Sequence, residues 1–286
     1  MQNTLDIPID DLIGQFMSKH PFTPKKPTLR SITLSKNRKM ASKPVPQSRS
    51  SRQHNFHQDE QQSTNVVKLG NRNYKRVEML PRNTAQETYI EELLEKRMVF
   101  AVGPAGTGKT LLAVLRAIKA LREGEVTKII LTRPAVSVDE KHGFLPGDLN
   151  AKMEPWTRPI FDVFEEYYGL QETKRMLEEG SIEIAPLGFM RGRTFKNAYI
   201  IADEMQNATP DQTKMLLTRI GEGSSMIITG DLRQHDRGFD QNGLKDFLER
   251  LTANKKETMA VCTFRREHIE RDPLVAEVLE IYGEDE

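Results

Sequence analysis

Val99-Phe100-Ala101-Val102-Gly103-Pro104-Ala105-Gly106-Thr107-Gly108-Lys109-Thr110 is an apolar run that breaks into a glycine-rich turn, and the chain continues as the apolar helix pattern Leu111 to Leu121. Gly103, Gly108, Lys109 and Thr110 meet the spacing G-x-x-x-x-G-K-[ST]. In that arrangement backbone N–H groups wrap a polyphosphate, the lysine meets its terminal phosphates and the hydroxyl holds Mg²⁺. Gly106 and Gly108 let the backbone approach oxygen atoms with no side chain in between. A helix starting near Lys109 points its positive dipole end at the anion. The stretch predicts strand, loop and helix in that order, with the eight residues from Gly103 to Thr110 as candidate nucleotide-binding residues.

A second stretch supplies what a phosphate cradle lacks. Ala198-Tyr199-Ile200-Ile201-Ala202-Asp203-Glu204 is an apolar strand that delivers two carboxylates to its carboxyl end. Ligands of open α/β sheets bind beyond that end of the strands, where the glycine loop also opens. Asp203 is placed to join Thr110 in the Mg²⁺ shell, and Glu204 to polarise an attacking water. Neighbouring residues on a strand point opposite ways, so both carboxylates reach one site only if the chain turns after Asp203.

Upstream, Thr84 and Glu87 have the spacing of a capping box opening a helix through Tyr89, Ile90, Leu93 and Leu94. Gln86 carries an amide that both donates and accepts, the chemistry needed to read an adenine edge. Downstream, Lys128-Ile129-Ile130-Leu131-Thr132-Arg133 reads as a buried strand with a polar tip, the kind of run demanded by a parallel sheet covered on both faces. That tip places Thr132 and Arg133 where a phosphate or a nucleic-acid backbone passes. Residues 138–153 read as a polar connection, followed by helices over 158–168 and 172–178. Trp156 is assigned to packing. A short strand over 181–186 leads to Met190-Arg191-Gly192-Arg193-Thr194, a turn with two cations suited to holding a phosphate backbone. Thr209 caps a helix over 210–219. Ser225-Met226-Ile227-Ile228-Thr229-Gly230-Asp231 is another apolar strand with a polar tip, and Gln234 just beyond it is placed to sense a terminal phosphate. A helix over 243–251, a strand over 258–262 and a helix over 273–282 complete the expected order.

The chain has 286 residues, 37% of them hydrophobic, enough for a sizeable core. Its net charge is only +1, but residues 12–57 hold ten Lys or Arg and no Asp or Glu. This asymmetry predicts a largely disordered basic tail over 1–75 and a folded domain over 76–286. The tail suits an electrostatic arm for nucleic acid or a solvated extension, with His54 and His57 a poor metal pair in a polar tract. A single cysteine, Cys262, excludes an internal disulfide framework and a cysteine-cluster zinc site. With no long apolar run and no basic-then-apolar leader, the reading is a cytoplasmic protein without membrane contact.

Residues 80–283 resemble the PhoH family of P-loop ATPases, which is related to the nucleotide-binding core of superfamily 1 helicases. The resemblance rests on Gly-Pro-Ala-Gly-Thr-Gly-Lys-Thr (103–110), Thr-Arg-Pro-Ala-Val (132–136), Gly-Phe-Leu-Pro-Gly-Asp-Leu (143–149), Arg-Gly-Arg-Thr (191–194), Asp-Glu-Met-Gln-Asn (203–207), Leu-Thr-Arg-Ile-Gly (217–221) and Thr-Gly-Asp (229–231). It implies an α/β, RecA-like P-loop NTPase with a mostly parallel sheet flanked by helices. It further implies ATP and Mg²⁺ as ligands, hydrolysis linked to RNA or single-stranded DNA, and a homo-oligomer, a hexameric ring. The chain departs from the pattern at Met205, where Ala is common, at Leu232-Arg233, and at Asp272, where a His usually follows Arg271.

On this reading Lys109 neutralises charge on the β- and γ-phosphates, Thr110 and Asp203 hold Mg²⁺, and Glu204 positions water. A cation from a neighbouring subunit completes the site, with Arg219, Arg265 and Arg271 the candidates and Arg271 preferred. An ATP-controlled nucleic-acid-binding module with little turnover is the alternative, and Glu204 speaks against it. A small-molecule kinase requires a lid motif that the sequence does not show.

Overall fold

The computed structural model describes residues 74–134, 149–234, 242–254 and 256–282. The expected tail up to residue 73, with His54 and His57, lies outside them. So do residues 135–136 and 143–148 of two of the motifs that carry the family resemblance.

The elements follow in chain order as α1 (Thr84–Glu95), β1 (Met98–Val102), α2 (Lys109–Arg122), β2 (Lys128–Thr132), α3 (Leu149–Tyr168), α4 (Leu170–Glu178), β3 (Ile182–Ile184), β4 (Ala198–Ala202), α5 (Pro210–Leu217), β5 (Ser225–Gly230), α6 (Gly243–Ala253), β6 (Met259–Thr263) and α7 (Pro273–Ile281). Single 3-10 turns lie at Leu187–Phe189, Met205–Asn207 and Arg266–His268. The six strands form one sheet in the order β3-β2-β4-β5-β1-β6, and every pairing is parallel.

Alternation along the strands explains why the sheet is covered on both sides. Val99, Ala101, Ile129, Leu131, Tyr199, Ile201 and Ile227 face a core completed by α1, α2, α3 and α4. Met98, Phe100, Val102, Ile130, Ile200, Met226 and Ile228 face a second core completed by α5 and α6. Strands β1 and β4 are buried along their whole length, so both of their faces had to be apolar.

Strand order fixes the site. β5 lies between β1, which carries the glycine loop, and β4, which carries the acids. Its register sets Val102 beside Gly230 and Ala202 beside Ile228. The tip of β5 therefore separates cradle from carboxylates by one strand and lies between them.

Three local expectations are corrected. The cap of α1 is Asn83, whose side chain accepts from the Gln86 N–H; Thr84 is already helical. α3 begins at Leu149, so the last residues of the expected 138–153 connection are helical. Pro155 and Pro159 lie inside this helix, where an interior proline costs roughly 3 kcal/mol. The buried stripe Thr157, Ile160, Phe161, Phe164 and Tyr168 outweighs that cost by packing. Finally, β3 is only three residues long, and Ser181 precedes it with its carbonyl accepting from Ile129.

Candidate nucleotide site

The loop between β1 and α2 carries positive φ at Gly103, Gly106 and Gly108, of 143°, 80° and 82°. Crowding adds to that demand at two of them. A Cβ on Gly103 would stand 2.3 Å from the Phe264 carbonyl oxygen, and one on Gly108 would stand 2.9 Å from Gln86 Nε2. The loop is gripped from two sides. From α1, Gln86 Nε2 donates to the Thr107 carbonyl (3.1 Å) and the Tyr89 hydroxyl donates to the Lys109 carbonyl (3.2 Å). From the segment after β6, Phe264 N–H donates to the Val102 carbonyl (2.7 Å) and Glu270 N–H to the Gly106 carbonyl (2.9 Å). Asn83 Nδ2 joins the two flanks through Glu270 Oε1 at 2.9 Å.

Lys109 opens α2 with its side chain folded back over the loop. Its Nζ donates to the carbonyls of Gly103 (2.7 Å) and Pro104 (2.6 Å) and to Thr107 Oγ1 (3.3 Å). Burial pushes the Lys109 ammonium down from its ordinary range, and the carboxylates of Asp231, Glu204 and Asp203 oppose that shift. The acids from the distant stretch thus stand within electrostatic reach of the lysine.

Thr110 Oγ1 donates to Asp203 Oδ1 at 2.9 Å, and the Thr229 hydroxyl donates to the same oxygen. Asp203 N–H is held by the Thr132 carbonyl at 2.9 Å. The next residue turns: Glu204 has φ 54° and ψ 38°, a left-handed conformation that costs a non-glycine residue roughly 1–2 kcal/mol. That turn resolves the strand-parity problem, since both carboxylates come within electrostatic reach of Lys109. The Gln206 amide then donates to Glu204 Oε2 at 2.5 Å and accepts from Asp231 N–H at 3.1 Å.

This donor set fits Mg²⁺. It offers one hydroxyl and one carboxylate, both hard oxygens, beside a phosphate cradle, and Mg²⁺ is characteristically held by one or two protein oxygens with the rest from phosphates and water. Among the described residues no cluster of three or more His, Cys, Asp or Glu offers an all-protein metal cage.

The remaining candidates divide. Gln86 is buried against the loop with both ends of its amide engaged, since Oε1 also accepts from Arg82 N–H at 2.9 Å. A base contact by Gln86 would require that amide to leave Thr107. Gln234 is exposed and closes the turn after β5, its N–H donating to the Asp231 carbonyl at 3.1 Å. Arg271 reaches its own glycine loop: a Cβ on Gly106 would stand 3.0 Å from Arg271 Nε. Arg219 does not approach the loop of its own chain. Its guanidinium donates to the Met215 and Arg193 carbonyls, and its own carbonyl accepts from Phe195, which precedes the amino end of β4, the opposite end of the strands from the glycine loop. Arg265 is part-exposed and, with Gly103, Pro104, Asp231 and Arg233, lines a cleft beside the loop.

Thr132 is buried, which removes its hydroxyl from any passing backbone. Arg193 pairs with Glu183 at 2.5 Å and lies 4.6 Å over the Phe195 ring, while Arg191 stays exposed. The side chain of Trp156 is outside the described set. Sequence reasoning did not single out Gln206 or the Thr229 contact to Asp203; the only signal was their position after an acid pair and at a polar strand tip.

Comparison with known proteins adds the following. The family described as PhoH-like protein matches residues 78–283. A PhoH-like protein of Bacillus subtilis is 48% identical over 199 residues, covering 69% of this chain and 61% of that protein. A PhoH-like protein of Synechocystis is 44% identical over 202 residues, covering 70% and 61%. The chain thus spans about three fifths of the length of these relatives. A solved SWI2/SNF2 ATPase core from Sulfolobus solfataricus in complex with dsDNA is a loose match, at 14% identity and TM-score 0.39, covering 66% of this chain and 46% of that one. No helix among the described residues is long and apolar enough to cross a membrane.

Proposed function

The chain belongs to the PhoH-like family, and from that premise we propose that it binds ATP with Mg²⁺ in the cradle between β1 and α2 and hydrolyses it. The observation that carries the reading is the 2.9 Å contact from Thr110 to Asp203, which joins the glycine loop to the acid pair across an intervening strand.

Each residue has a task in that chemistry. The loop N–H groups and the α2 amino end receive the phosphates. Lys109 Nζ, now on the Gly103 and Pro104 carbonyls, exchanges those acceptors for β- and γ-phosphate oxygens, which carry full charge and hold it more strongly. Thr110 and Asp203 hold Mg²⁺, which when bound neutralises charge on the β- and γ-oxygens. Glu204 accepts a hydrogen bond from the attacking water and orients it. Asp231 and Gln234, at the tip of β5, meet the terminal phosphate side of the cradle. Arg271 serves the loop of its own chain, so the cation inserted from a neighbouring subunit is Arg219 or Arg265.

Turnover is coupled to RNA or single-stranded DNA, and the working form is a homo-oligomer, a hexameric ring. The ten cations of residues 12–57 and the exposed Arg191 supply the electrostatic attachment. Phosphate release by the purified protein with Mg²⁺ and ATP, with and without single-stranded RNA or DNA, tests this. Release stimulated by one of the strands supports the coupled ATPase; release unchanged by either reduces the reading to an uncoupled ATPase, and none at all contradicts it.

A further inference from the structure

Gln206 stands two residues past Glu204, is 1% exposed, and connects two parts of the site that share no covalent path shorter than 27 residues. We propose that Gln206 is a positioning residue for Glu204: it aims the carboxylate and ties that aim to the tip of β5. The proposal rests on the reading of Glu204 as the group that orients water.

The amide can lie only one way round. Its Oε1 accepts from Asp231 N–H at 3.1 Å, and a backbone N–H cannot accept, so the NH₂ end must face Glu204. There it donates to Glu204 Oε2 at 2.5 Å. An amide next to a carboxylate forms a charge-assisted bond, stronger than one between neutral groups. With Gln206 sealed from solvent, water does not compete for either end.

The fold makes room for this link and for nothing bulkier. A Cβ on Gly230 would stand 2.8 Å from Gln206 Oε1 and 3.2 Å from Gln206 N, so the glycine that ends β5 is what lets the amide reach Asp231. The left-handed turn at Glu204 supplies the other half of the geometry, because it swings the carboxylate toward the 3-10 turn that carries Gln206. A strained residue persists when its surroundings over-determine it, and the Gln206 bond is one such constraint.

At the far end the link continues. Asp231 Oδ1 accepts from Arg233 N–H (3.0 Å) and the Asp231 carbonyl from Gln234 N–H (3.1 Å), which closes residues 231–234 into a compact turn. Displacement of that turn by a terminal phosphate is passed through Asp231 N–H and one rigid amide to Glu204. Gln206 therefore lets the phosphate side of the pocket set the direction of the water-orienting carboxylate.

The test uses the full chain and two substitutions. Gln206→Met keeps length and apolar packing and removes the hydrogen bonds to Glu204 and Asp231; Gln206→Glu keeps the acceptor for Asp231 and sets a second carboxylate against Glu204. The expected result is a kcat lower by about tenfold or more in each, in line with loss of a positioned base, with affinity for a fluorescent ADP analogue changed by less than about twofold. In a Glu204→Gln background, Gln206→Met should cause no further fall in the residual rate, because the two residues act as one unit. Deuterium exchange at the Asp231 amide should quicken in the Gln206→Met protein without nucleotide. Wild-type turnover together with an unchanged kcat in Gln206→Met, penalties that multiply in the double variant, or unchanged exchange at Asp231 would each overturn the assignment of Gln206. Absence of turnover in the wild-type protein would instead remove the reading beneath it. If the Met variant does not fold, the kcat and affinity of Gln206→Glu decide the matter alone.

Discussion

Thr110 Oγ1 and Asp203 Oδ1 lie 2.9 Å apart although 93 residues separate them in sequence. The contact joins the first turn of α2 to the end of β4, over the tip of the strand between them. In the proposed function this pair receives Mg²⁺. Asp203→Asn keeps the shape and removes the charge, so it should raise the Mg²⁺ needed for half-maximal turnover by at least about tenfold. Nucleotide binding measured in the presence of a chelator should stay unchanged.

Gly103 offers a test of the loop itself. With φ 143° and a Cβ position 2.3 Å from the Phe264 carbonyl oxygen, Gly103→Ala must both strain the backbone and push aside the segment that follows β6. Gly124, at φ 74° with nothing within 4 Å, isolates the backbone part alone. Thermal unfolding should show Gly124→Ala losing about 1–2 kcal/mol and Gly103→Ala clearly more.

Gln86 is bonded to the loop at one end and to Arg82 at the other. If it serves by holding the loop, Gln86→Ala should weaken ATP and GTP equally, by about three- to tenfold, the value of one hydrogen bond. Competition binding with the two nucleotides checks this, and a loss confined to ATP would assign the amide to the base.

Much of this was legible in the sequence, for a physical reason. A parallel sheet buried on both faces writes long apolar runs, so β1, β2, β4 and β5 declare themselves, and a glycine loop with Lys-Thr at its end has few alternatives. Asn83 as the cap was hidden because Thr84 has the same chemistry one step on. The start of α3 was hidden because residues 149–153 close a polar stretch that contains Gly147 and Pro146, and the buried stripe that holds the helix lies further along. Gln206 was invisible because its meaning depends on Asp231, a partner that only strand order brings near. The same holds for Arg271, whose approach to Gly106 follows from where β6 pairs.

Cys262 lies on β6 beside Ala101, and burial pushes its thiol far above the ordinary range. Thiolate is the reactive form, so an aromatic disulfide reagent should label the folded protein only as fast as it opens, and promptly in denaturant. The unfolded thiol sheds its proton near pH ~8.5 while the folded one keeps it. The buried Tyr89 and Tyr199 hydroxyls, both pushed up by burial, act in the same direction, starting only near pH ~10 where an unfolded tyrosine ionises. The contribution of the thiol should therefore be level below pH ~8.5 and fall as pH rises through it, a fall that a Cys262→Ala variant should lack in denaturant titrations on either side.

The central claim is that two acids from β4 complete the cradle built by the Gly103–Thr110 loop. It is tested most directly by measuring Mg²⁺-ATP binding and turnover in wild-type and Glu204→Gln protein side by side. Both proteins should bind ATP alike, and turnover should fall by about a hundredfold or more in the variant. A Glu204→Gln protein that hydrolyses ATP at the wild-type rate would contradict it.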